Sequence, residues 1–102
     1  MDANDLAIAC NLTDAQLQQR RNAELSQAKS AMIATRETEN GFVYQFDSSS
    51  ERIAALTNLI DLEHQCCPFL TFRLTVEPGD RPVSLEISGP PGTKEFLVAL
   101  FE

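Results

Sequence analysis

A chain of 102 residues is long enough to close one modest core and too short for two, so a single domain over residues 1–102 is expected. Hydrophobic residues make up 43% and charged residues 23%, with 4 glycines and 5 prolines, a balance that excludes disordered and fibrous classes. Fifteen acidic against eight basic residues give a net charge of -7, a field that repels phosphate backbones and anionic lipid, so neither nucleic acid nor membrane is an expected partner. The opening MDANDLAIAC has two aspartates and no basic run, unlike a secretory signal. Together with three cysteines, an odd number that no intrachain disulfide scheme pairs completely, this points to a cytoplasmic protein with free thiols.

The first structural signal is Thr13, where T-D-A-Q has the form of a capping box and opens a helix to about Ser30. Its apolar positions are Leu17, Leu25, Ala28 and Met32, with Arg21 interrupting the line. From Ala31 to about Glu37 β-formers take over, and T-E-N-G at residues 38–41 predicts a hairpin turn built on Asn-Gly. Phe42, Tyr44 and Phe46 then share one face of a half-buried strand.

Ser48, Ser49 and Ser50 are alternative N-caps for a helix from Glu51 to about Cys66 or Cys67. Helical spacing puts Ile53, Leu56, Ile60, Glu63 and Cys67 on one stripe, flanked by Leu59, Leu62 and Cys66. Pro68 ends it. Leu70, Phe72, Leu74 and Val76 alternate along a third strand, P-G-D at residues 78–80 reverses the chain, and Val83, Leu85 and Ile87 point inward from a fourth. After G-P-P-G, Thr93 is placed to cap a last helix bearing Phe96, Leu97, Leu100 and Phe101. The order αββαββα predicts an α+β two-layer sandwich: a four-stranded antiparallel sheet with helices on its apolar face. The strand order is open at this point, as is whether the polar face meets water or a second copy in a homodimer.

The densest chemistry is E-H-Q-C-C-P-F at residues 63–69. Adjacent helical residues point about 100° apart, so Cys66 and Cys67 cannot form a vicinal disulfide within a helix. They also lack the C-x-x-C spacing common in structural zinc sites. At a helix end broken by proline, however, the second thiol can swing toward the first. If the N-terminal arm crosses this end, Cys10 completes a three-sulfur site suited to Hg(II), As(III) or Cu(I), and Glu63 or His64 as a fourth ligand would admit zinc. The candidate metal ligands are therefore Cys10, Cys66, Cys67, Glu63 and His64. Burial of Cys67 as plain core is an even competitor, Cys66 on the flank is the more reactive candidate, and Glu63 either caps a polar pocket or pairs with a base such as Arg21.

Two other classes use the same residues. A structural or self-association module would keep the cysteines as core and bind through its sheet face or edge. A thiol-dependent redox protein would need an activated thiolate, which the negative end of a helix dipole disfavours. No nucleophile elbow, Walker loop or dinucleotide fingerprint is present, and the prolines in G-P-P-G-T-K remove amides that a phosphate would need. Binding is favoured over catalysis.

The pattern C-N-L-T at residues 10–13, E-H-Q-C-C-P-F at residues 63–69, Phe72 in the strand that follows, and the closing G-P-P-G-T-K-E-F-L at residues 89–97 resembles a small uncharacterised bacterial family. The resemblance spans nearly the whole chain. It implies a bacterial cytoplasmic origin, an association with heavy-metal resistance, and a grouping of Cys10, Cys66 and Cys67.

Overall fold

The computed structural model describes residues 15–101. Helix α1 (Ala15–Ala31) is followed by strands β1 (Ala34–Glu37) and β2 (Gly41–Phe46), helix α2 (Ser50–Cys66), strands β3 (Thr71–Thr75) and β4 (Val83–Ser88), and helix α3 (Thr93–Phe101). The sheet is antiparallel with order β1-β2-β4-β3, so the two hairpins join through β2 and β4. This is the expected α+β arrangement, and it supplies the strand order that periodicity had left open.

The core lies between the sheet and the helices. Tyr44, Phe46, Val83, Leu85 and Ile87 from the two central strands meet Leu25 and Ala28 of α1, Leu56 and Leu59 of α2, and Leu97 and Phe101 of α3. Phe42, Phe72 and Leu74 pack against this cluster from the same face of the sheet. Alternation along an antiparallel strand sends every second residue to the opposite face, which carries Gln45, Ser84 and Glu86. Val76, expected on the apolar line of β3, lies beyond the strand and is exposed, because the strand ends at Thr75.

Two local details differ from expectation. The β1–β2 loop is Glu39–Asn40, closed by the Thr38 amide donating to the Gly41 carbonyl at 2.9 Å, and no non-glycine residue described has a positive φ. Gly41 is thus not the left-handed residue of a primed turn. It opens β2, where a Cβ would sit 1.8 Å from the Ile87 carbonyl oxygen, and close approach of two backbones makes glycine necessary. Thr93 is the first residue of α3; its hydroxyl donates to the Pro90 carbonyl at 2.6 Å and so steadies the loop instead of accepting a helix amide. Gly92, at φ 98°, makes the turn, and its carbonyl accepts the first helical bond from the Phe96 amide. The capping box at Thr13 and the thiol of Cys10 lie outside the described residues.

Candidate functional site at the end of helix α2

Helix α2 begins as the serines predict. The Ser49 hydroxyl accepts from the Arg52 amide at 3.1 Å, while Asp47 accepts from the Ser49 hydroxyl at 2.6 Å and from Arg52 at 3.2 Å. The bonds from Ser49, with Arg52 beside them, hold the Asp47 carboxyl below its usual range. The helix therefore has a fixed start, and its register carries the apolar stripe to the other end.

That stripe is centred on Leu56, Leu59, Leu62, Glu63 and Cys66, with Ile53 and Ile60 at its edge. Cys66, placed on the flank by sequence spacing, is in fact as buried as Cys67, both at 0% exposure. The reason is the helix end. Cys67 takes φ -126°, ψ 74°, outside helical values, although its amide still donates to the Glu63 carbonyl at 2.6 Å. Leaving the helix there turns the second side chain inward too. Pro68 enforces the exit, and Leu70 closes the turn with its amide on the Cys67 carbonyl at 3.1 Å.

The two sulfurs have different states. Cys66 is disulfide-bonded, whereas Cys67 is a free, buried thiol. Free thiols were expected throughout; for Cys66 the structure corrects this. The Cys67 sulfur lies 3.9 Å from Glu63 Oε1, and burial, followed by the Glu63 charge, pushes its pKa up to about 11. It is a protonated thiol at neutral pH.

Glu63 is 1% exposed and pairs with Arg21 across the α1–α2 interface. Arg21 Nε donates to Oε2 and Nη2 donates to Oε1 at 3.3 Å, a two-pronged contact that satisfies both carboxylate oxygens. The interruption of the α1 apolar line by arginine is thereby explained: Arg21 faces the core because Glu63 does. A surface groove of about 290 Å³ between α1 and α3 has Arg21 and Lys29 on its wall. His64, the other auxiliary candidate, is exposed on the last turn of α2.

The described residues contain no group of three or more His, Cys, Asp or Glu arranged to hold a metal ion, and Cys10 lies outside them. No helix among the described residues is long and apolar enough to cross a membrane. No family model matches the chain, and neither a curated protein nor a solved structure matches it.

Proposed function

We infer that this chain, in its reduced form, binds one soft metal or metalloid ion through Cys66, Cys67 and Cys10, and acts by sequestering or delivering it. The observation that carries the reading is the burial of two consecutive sulfurs at one helix end, one disulfide-bonded and the other free. Cys10, the third cysteine, lies outside the described residues, and the reading requires its thiol to join the other two once Cys66 is reduced.

Three thiols of this kind suit Hg(II), As(III) or Cu(I), and zinc if a further ligand joins. Each must lose its proton to bind, and the cation supplies what a buried thiol lacks: a positive charge that outweighs desolvation and the helix dipole. Glu63 serves beside the sulfurs, held by Arg21 and touching Cys67, whereas the exposed His64 is the weaker auxiliary.

The disulfide on Cys66 favours a second reading, a thiol-disulfide switch that takes up two electrons and two protons per bond opened. The high pKa of Cys67 opposes it, since a protonated thiol is a slow attacking group. One experiment separates the two. Anaerobic titration of the reduced protein with Hg(II), arsenite, Cu(I) and zinc should give sulfur-to-metal charge-transfer absorption that saturates at one ion per chain. The same titration of oxidised protein, and of Cys66→Ser, should be sharply weaker. A flat titration of fully reduced, folded protein removes the metal reading, and a reversible two-electron couple in that same protein would then support the switch.

A further inference from the structure

Among the described residues all three helices pack on one face of the sheet, and the other face carries a short charged row. In register across the strands, Arg36 of β1 stands opposite Val43 of β2, Val43 opposite Glu86 of β4, and Glu86 opposite Arg73 of β3. Val43 is 9% exposed yet belongs to no part of the core cluster, so an apolar position sits within the charged row. Neither Arg36 nor Glu86 makes an ion pair with another described residue. The concavity beside Val43, about 280 Å³, is walled by Arg36, Gln45 and Ser84.

We propose that this open face is the contact surface of a two-fold homodimer centred on Val43, with Arg36 of each protomer set against Glu86 of the other. The charge order selects this arrangement. A two-fold axis parallel to the strands reverses the row Arg36–Val43–Glu86–Arg73, and centring it on Val43 places Val43 on its own copy and both Arg36 side chains on carboxylates. Centring it on Glu86 stacks two carboxylates, and an axis across the strands stacks arginine on arginine; both are repulsive. In the Val43-centred pairing the neighbouring row brings Gln45 onto its own copy, where two amides can exchange hydrogen bonds, and Ala34 over Ser84. Arg73 falls outside the overlap.

The size of the contact fixes its strength. Three strands about 4.8 Å apart and five residues long at about 3.4 Å each give roughly 250 Å² of flat sheet per protomer, well below the ~800 Å² of a standard interface. The dimer is therefore weak, concentration-dependent and sensitive to salt. It is independent of the thiol chemistry at the end of α2.

Sedimentation velocity of the full chain from micromolar to millimolar concentration, at low and high salt, tests it. Reversible dimerisation that salt weakens is expected, and Arg36→Glu should lower the association constant by about tenfold or more, the scale of a like-charge contact. Gln45→Glu, which sets two like charges face to face on a half-exposed site without touching the core, should also weaken it. Arg73→Gln should not. The double variant Arg36→Glu with Glu86→Arg should restore dimerisation. A monomer at millimolar concentration and low salt overturns the proposal, as does a dimer that Arg36→Glu leaves intact, a folded double variant that stays monomeric, or a dimer lost only on adding reductant.

Discussion

On the helix side of the sheet Tyr44, Phe46, Leu85 and Ile87 are almost closed to solvent, while one residue along the same strands Gln45, Ser84 and Glu86 stay half-exposed. Both faces contain ionisable groups, and their treatment differs. On the covered side the buried carboxylate, Glu63, has a two-pronged arginine partner and a thiol beside it. On the open side Arg36 and Glu86 are left without ion pairs among the described residues. A charge in low dielectric must be satisfied within the fold, whereas a charge in water is satisfied by solvent and remains available to a partner.

Deleting side chains should expose this contrast most strongly at the core. Phe46→Ala empties a fully buried site and should cost about 3–5 kcal/mol by urea denaturation. Arg21→Met should cost a similar ~3–5 kcal/mol, because it strands Glu63 as a buried charge. Replacing both partners by apolar residues should recover most of that loss, and failure to recover would mean that the pair contributes more than mutual satisfaction. Gly41→Ala comes next, at about 1–3 kcal/mol, since its methyl must displace the β4 backbone.

A smaller effect depends on pH. The Cys67 thiol is raised from 9.0 to about 11, so the folded state holds its proton more tightly than the unfolded chain. The stability this contributes is complete below pH 9 and is lost as pH rises from 9 to about 11. Tyr44, raised by burial, acts with the same sign at the top of that range. Urea midpoints at pH 8 and pH 10.5 should differ accordingly, and Cys67→Ala should reduce the difference. Smallest of all, Ser84→Ala on the open face should change stability by less than about 0.5 kcal/mol. A larger loss there would show that the open face is covered.

Much of the fold was legible because its signals are local. Alternation of Phe42, Tyr44 and Phe46 and the serines before α2 each settle a structure within a few residues. The sense of Glu63 was legible too, since an acid on an apolar stripe and a base on another predict each other. What escaped were features set by tertiary contact. Asn40-Gly41 resembles a primed hairpin turn, yet Gly41 answers to the Ile87 carbonyl on a strand some 45 residues away, which no local pattern reports. Cys66 was assigned to the flank because 100° spacing does not say where the sheet lies relative to the stripe. The oxidised state of Cys66 has no sequence signal beyond the cysteine count.

The exit from α2 at Cys67 has a consequence for how substitutions at this site should be judged. Pro68 is exposed and would pass for a replaceable surface residue. It is nevertheless what denies Cys67 helical dihedrals, and a helical Cys67 would point its side chain about 100° around the axis from that of Cys66. The direction of an interior thiol is thus set from the surface, by a ring with no reactive atom of its own.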